Sequence, residues 1–247
     1  MQVITSIQNN QVKNWRKLHT KKYRTEMKCF LIEGFHLIEE AYKSGWEIDT
    51  IIVREGVDVP DWSNQYTITY VDERVFKEVT QTEKPQGIAA VVKMKKLEQK
   101  ADDFVLLVDA IQDPGNLGTI IRTADAAGFS KIVLGVGTVD HYNDKVIRAS
   151  QGSIFHIPIE QDDILEAIKK LKNNEYTIWA SALEDAIDYH DIEGEEKTAL
   201  IVGNEGAGIE EAVLQAADHI VKIPIYGQAE SLNVSVAAGI LMYKMRK

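Results

Sequence analysis

Six short runs between residues 104 and 226 constrain this chain more than anything else in it: "FVLLVDAI", "KIVLGVG", "SIFHIPI", "YTIWASAL", "TALIVGNE" and "HIVKIPIY". Each is almost wholly apolar. Such runs suit strands buried on both faces, the condition of a parallel sheet. Helical patterns lie between several of them. After Asp162 and Asp163, for instance, Ile164, Leu165, Ile168 and Leu171 share one helical face. Alternating strands and helices predict an α/β layer fold, with ligands at loops beyond the carboxyl ends of the strands.

A second α/β pattern comes first in the chain. "CFLIEG", "EIDTIIVRE", "YTITYV" and "GIAAVVKM" read as strands, "FHLIEEAYKSG" as a helix that stops at Gly45, and Asp72 is placed to cap "ERVFKEVTQT". Between the two patterns, "KKLEQKADD" is polar, charged and aperiodic. The expected division is therefore a domain at 1–95, a linker at 96–103 and a second domain at 104–247. With 247 residues, 45% of them hydrophobic, both parts can bury a core. No stretch approaches the roughly 18 apolar residues of a membrane span. The first residues lack the apolar run of a signal peptide. One cysteine, Cys29, excludes an intramolecular disulfide and fits a reducing cytoplasm.

The charge is unevenly spread. Residues 1–28 hold seven Lys and Arg against Glu26 alone, a net charge of +6, which leaves −16 for the rest of a chain whose total is −10. A local basic arm can meet phosphates while the bulk stays acidic, because attraction is screened beyond about 10 Å. Lys13, Arg16, Lys17, Lys21, Lys22 and Arg24 are the candidate nucleic-acid contacts. Trp15, His19 and Tyr23 interleave them as stacking surfaces. A solvated helix face is the alternative reading of the same charges.

Three loops carry more chemistry than a turn requires. In "DAIQDPGNLGTIIRTADAAG", Asn116 is placed to cap a helix, and Arg122 is expected on its first turns, where the macrodipole disfavours a cation. In "ALIVGNEGAGI", a buried strand delivers Gly203, Asn204, Glu205, Gly206 and Gly208 at its carboxyl end. This is neither a Walker loop nor the dinucleotide-binding fingerprint, since no Gly-Lys-Ser/Thr follows and position 205 is Glu. In "VKIPIYGQAESLNVSVAAG", Ser231 is the expected helix cap, which leaves Asn233 in the first turn unexplained. Val234, Val236, Ile240 and Leu241 are expected to anchor that helix in the core. The six histidines and Cys29 show no metal-ligand spacing, so no metal is expected. No Gly-x-Ser-x-Gly elbow occurs.

In this order and spacing the three loops resemble the motifs of the SpoU (TrmH-type) RNA ribose 2′-O-methyltransferases of the SPOUT superfamily, over roughly residues 104–245. "FLIEGFHLIEEA" and "QGIAAVV" are similar to the small RNA-binding domain that many members carry in front, which makes the basic residues of 1–28 candidate RNA contacts. The resemblance implies a C-terminal parallel-sheet domain with a deep trefoil knot, S-adenosylmethionine bent into that knot, and a homodimer with the site near its interface. It implies catalytic roles for Asn116, Arg122, Glu205, Ser231 and Asn233. It implies cofactor contacts from Gly203, Ile223 and Leu232, from Ala180 and Ser181 at the end of "YTIWASAL", and from the turn at Gly227. An arginine deprotonates only at high cost, so Arg122 is assigned to the phosphate and the developing alkoxide, and Glu205 either orients Arg122 or accepts the proton. Large-subunit (23S-type) ribosomal RNA in the cytoplasm is the expected substrate. A tRNA 2′-O-methyltransferase and a non-catalytic RNA-binding or ribosome assembly protein are the alternatives.

Overall fold

The computed structural model describes residues 3–98, 103–193 and 195–246. Contacts divide the chain into two compact units. The first comprises Met1–Lys95 with Tyr142–Phe155, the second Lys96–His141 with His156–Lys247. Positions 99–102 of the expected linker lie outside the described residues.

The first unit is built from β1 (Val3–Ile4), α1 (Asn10–Lys17), α2 (Lys21–Met27), β2 (Cys29–Glu33), α3 (Phe35–Lys43), β3 (Ile48–Arg54), β4 (Ile68–Val71), α4 (Glu73–Val79) and β5 (Ile88–Lys93). Its five strands form a mixed sheet in the order β1-β4-β3-β5-β2. The local signals act as chemistry requires. The Asp72 carboxylate accepts the Val75 N–H at 2.7 Å and caps α4. Gly45 takes the left-handed φ of +64° that ends α3. Val12, Trp15, Leu18, Val75, Phe76 and Val79 bring α1 and α4 together over one face of the sheet.

The second unit runs β6 (Phe104–Val108), α5 (Pro114–Ala126), β7 (Lys131–Leu134), β8 (Ile159–Gln161), α7 (Ile164–Lys172), β9 (Thr177–Ser181), β10 (Ile187–Asp188), β11 (Thr198–Val202), α8 (Glu211–Ala216), β12 (His219–Lys222) and α9 (Val234–Met245). Seven parallel strands pair in the order β10-β12-β9-β11-β6-β7-β8. The central strands β6 and β11 are buried along their whole length, as two-sided burial of a parallel sheet demands.

Two expectations are corrected here. "SIFHIPI" is not one strand: Ser153–Phe155 forms a turn of 3-10 helix, and β8 begins only at Ile159. Gly152 at φ +96° turns the chain just before it, and Pro158 cannot donate to a ladder. The Phe155 ring packs instead against Phe30 and Trp46, with centroids 6.4 and 5.3 Å away, and the Trp46 indole donates to the Phe155 carbonyl at 3.1 Å. Helix α6 (Asp144–Ser150) belongs to the same departure. It lies within 104–247 in sequence, yet Tyr142 at its head packs its ring 4.5 Å from that of Phe30, so the segment 142–155 completes the core of the first unit.

Candidate active site

Strand β6 opens the site with strained backbone. Ala110, two residues past its end, takes a left-handed φ of +54°, which costs a side-chain-bearing residue on the order of 1 kcal/mol. Its carbonyl is then held by the Asn204 amide at 2.8 Å. The chain continues to Asp113, whose carboxylate accepts the Asn116 N–H at 2.8 Å and caps α5, with Pro114 at the first helical position. Asp113, not Asn116, is the cap, which frees the Asn116 side chain.

The loop after β11 is closed on itself. Asn204 and Gly208 exchange backbone hydrogen bonds at 2.8 and 3.0 Å, and Asn204 Oδ1 accepts the N–H groups of Gly206 and Ala207, both at 2.9 Å. Two glycines are required by geometry. A Cβ on Gly203 would sit 2.5 Å from the Gly208 carbonyl, and Gly208 has φ +73°. This hairpin aims Glu205 at the start of α5.

One chain of donors and acceptors then joins the three loops. Glu205 Oε1 accepts the Asp113 N–H at 2.9 Å and the Asn116 amide at 3.1 Å, while Oε2 accepts the Gln112 N–H at 3.2 Å. Because a carboxylate only accepts, Asn116 must turn its NH2 to Glu205 and its oxygen outward. That oxygen receives the Asn233 amide at 2.9 Å. Asn233 Oδ1 in turn accepts the Ser235 N–H at 2.9 Å and the Ser235 hydroxyl at 2.6 Å. Burial alone would raise the Glu205 pKa, but the donors from Asp113, Asn116 and Gln112 outweigh it and hold the carboxyl below its ordinary value.

The cap of the last helix is therefore Asn233, not Ser231. The helix begins at Val234, two residues later than a Ser231 cap would allow, and leaves Ser231 and Leu232 in the loop that lines the cavity. Of the expected anchors, Leu241 is fully buried but Val236 is 51% exposed.

Beside this network lies a cavity of about 530 Å³, lined by Ser181, Gly203, Glu205, Ile223, Ser231 and Leu232 among others. Ala180 is not on its wall, because its side chain points into the sheet core beside Ile178 and Ile201, and Gly227 lies outside the lining. The apolar wall includes Val202, Ile223, Ile225 and Leu232, which suits a nucleoside. Among the described residues the charged groups on the wall are Glu184, Glu205 and Glu230, with no Lys or Arg. The size falls within the roughly 300–1,000 Å³ of small-molecule sites, and an acidic lining complements the sulfonium and ammonium of S-adenosylmethionine. The residues present fit that cofactor.

Arg122 stands apart. Helix α5 starts at Pro114, so Arg122 lies on its third turn and not its first. Six residues separate it from Asn116, about 9 Å along the axis and about 120° around it. The guanidinium is exposed, and among the described residues it makes no ion pair with Glu205 or any other carboxylate. The Glu205 carboxylate is occupied by the backbone and Asn116.

The comparisons fit this geometry. The SpoU rRNA Methylase family model matches residues 103–243, and that of the MRM3-like substrate binding domain matches residues 9–90. The chain belongs to the SpoU rRNA methylase family. It is 48% identical over 247 residues, all of both chains, to the 23S rRNA (guanosine(2553)-2′-O)-methyltransferase RlmP of Bacillus subtilis. An AdoMet-bound rRNA methyltransferase from Sinorhizobium meliloti superposes with a TM-score of 0.89 at 31% identity, covering 99% of this chain and 97% of that one. The SpoU methyltransferase AviRb from Streptomyces viridochromogenes, in complex with AdoMet, gives 0.86 at 26% identity over 96% and 97%.

Among the basic residues of the first unit, the structure separates two kinds. Lys13, Lys17, Lys21 and Lys22 are exposed, and Arg16 pairs with Glu78 at 3.1 Å. Arg24 is only 4% exposed and donates to the Leu18 carbonyl at 2.8 Å, so it serves the fold. Trp15 is 6% exposed and belongs to the core, which removes it as a stacking surface. The sequence reading missed Ser235 as the partner that orients Asn233. An Asn followed two residues later by Ser at a helix start is the signal it left unused.

Proposed function

We propose that this enzyme of the SpoU family methylates a ribose 2′-hydroxyl of large-subunit ribosomal RNA, using S-adenosylmethionine held in the cavity beside Glu205. The observation that carries the reading is the Asn233–Asn116–Glu205 chain at the edge of an acidic cavity of nucleoside size. S-adenosylmethionine supplies the electrophilic methyl group. The residues of this chain supply placement, which can be worth up to about 7–11 kcal/mol of a barrier in favourable cases. Glu205 is a positioning residue: its oxygens are filled by donors from Gln112, Asp113 and Asn116, with the Asn204 amide a further 3.5 Å contact, and its affinity for a proton is lowered, all of which make it a poor base. Asn116 and Asn233, fixed by it, present their remaining polar capacity to the ribose. Ser231 reaches the same cavity from the loop. Arg122 receives the phosphate and the developing negative charge.

The position of Arg122 away from its own chain's network supports a homodimer in which a second copy completes the site. Helix α9 supports it as well, being apolar nearly all round and leaving Val236 and Tyr243 more than half exposed. The trefoil knot, the assignment of residues 1–95 to substrate binding and a cytoplasmic location belong to the same reading. Methyl transfer from labelled S-adenosylmethionine to deproteinised 23S rRNA, 16S rRNA and tRNA tests it. Incorporation into 23S rRNA is expected, and incorporation into tRNA alone overturns the substrate.

A further inference from the structure

On the first unit, α1 and the turn after it face the end of α4 across an open groove of about 640 Å³. Lys13, Arg16 and Lys17 project from α1, Tyr23 from α2, and Lys77 and Gln81 from α4 and the residues after it. The Arg16–Glu78 pair crosses from α1 to α4, and His19 Nε2 lies 2.9 Å from the Val79 carbonyl, so the two walls are tied together. Lys13, Lys17, Lys21 and Lys22 are exposed and make no ion pair among the described residues. This is a concentration of positive charge in a chain whose net charge is −10.

Tyr23 is the aromatic side chain that the groove keeps available, since Trp15 is buried and His19 is committed to the Val79 carbonyl. The Lys17 and Lys22 ammonium groups lie 5.5 and 5.8 Å from its ring centroid. Both ammonium groups lie over the ring on flexible stems, so a nucleobase that stacks on Tyr23 takes their place and leaves them beside its two flanking phosphates. A duplex hides its base faces, so it cannot use the ring.

We infer that this groove is a track for single-stranded RNA, in which one base stacks on Tyr23 and the flanking phosphates meet Lys13 and Lys17 in the groove and Lys22 beside it. The inference rests on the reading of the enzyme as an RNA methyltransferase, and it names a surface of the substrate that lies outside the methylated ribose. Lys77 and Gln81 enter it only through the fold, being more than fifty residues from the basic arm.

The test uses the full chain and a fluorescein-labelled uridine dodecamer, with an RNA duplex of equal length as comparison. Tyr23→Ala is expected to weaken dodecamer binding by about 5- to 100-fold, Tyr23→Phe to leave it within about twofold, and duplex binding to respond to neither. Lys13→Gln, Lys17→Gln and Lys22→Gln together are expected to reduce the slope of log K against log salt by about 2, at about 0.7 for each phosphate contact. Circular dichroism and a thermal unfolding profile unchanged in all variants show that the first unit is folded, and calorimetric titration with S-adenosylmethionine shows the same of the second. Wild-type affinity in Tyr23→Ala, or an equal loss in Tyr23→Phe, overturns the groove. If 23S rRNA is methylated with unaltered KM in every variant, the groove fails and the methyltransferase reading stands. If no RNA is methylated but the dodecamer effects appear, the reverse holds.

Discussion

In the second unit, the polar side chains of the network beside the cavity are already paired: Glu205 holds two backbone N–H groups and Asn116, Asn116 holds Asn233, and Asn233 holds Ser235. In the first unit, Lys13, Lys21 and Lys22 are exposed and make no ion pair among the described residues. The charged groups lining the cavity are acids; those lining the groove are bases apart from Glu78, which pairs with Arg16. The contrast follows from what each must do. Methyl transfer needs atoms aligned to within tenths of an ångström, which only prepaired groups supply. Holding a polyanion needs charge at the surface, and long side chains meet that need without fixed geometry.

Arg122 is the exception in this contrast, an exposed cation outside the paired network and with no ion pair among the described residues, and it gives the largest expected effect. Arg122→Ala is expected to reduce kcat by at least about 10²–10³-fold while S-adenosylmethionine binding stays within about tenfold, read by single-turnover transfer and by titration. Near-normal turnover would remove Arg122 from the mechanism. Next comes Glu205→Gln. An amide keeps one acceptor. With its oxygen toward Asp113 and Asn116 its NH2 opposes the Gln112 N–H, and with its oxygen toward Gln112 its NH2 opposes the Asp113 N–H and the Asn116 amide, so the network loosens either way. A fall in kcat on the order of 10²-fold is expected, with KM for RNA little changed.

Gly203→Ala probes packing beneath the network. Its Cβ would meet the Gly208 backbone at 2.5 Å, and a destabilisation of about 1–3 kcal/mol is expected in denaturant unfolding, together with weaker cofactor binding. The smallest effect is on pH. The Glu205 pKa is lower folded than unfolded, so its contribution to stability is complete above the unfolded value, about 4.3, and is lost as pH falls through the lower folded value. The difference in thermal midpoint between wild type and Glu205→Gln is therefore expected to be constant from pH 7 to about 5 and to shrink below about 4.

The central strands were legible in the sequence because two-sided burial leaves no room for polar residues, as "FVLLV" and "TALIV" show. The polar set at the three loops was legible as residue types. Their partners were not, because Glu205 meets Asn116 across 89 positions and Asn233 meets Asn116 across 117. Helix capping was misjudged twice in the same way. Ser231 and Asn116 are good caps by type, but Asn233 and Asp113 hold the cap geometry, and the displaced residues are the ones left free for the site. The departure of 142–155 into the first unit was hidden for a different reason. Tyr142 and Phe155 show their role only beside Phe30 and Trp46, more than ninety residues away.

The alkali stability of the methylated product tests the central claim most directly. A ribose 2′-hydroxyl is the group that cleaves the adjacent phosphodiester in base, so its methylation protects that bond. If the network positions a ribose, label transferred to 23S rRNA will emerge from alkaline hydrolysis in a dinucleotide, as a 2′-O-methylated residue still joined to its neighbour. Label released in an alkali-labile mononucleotide, methylated on the base, would contradict the account.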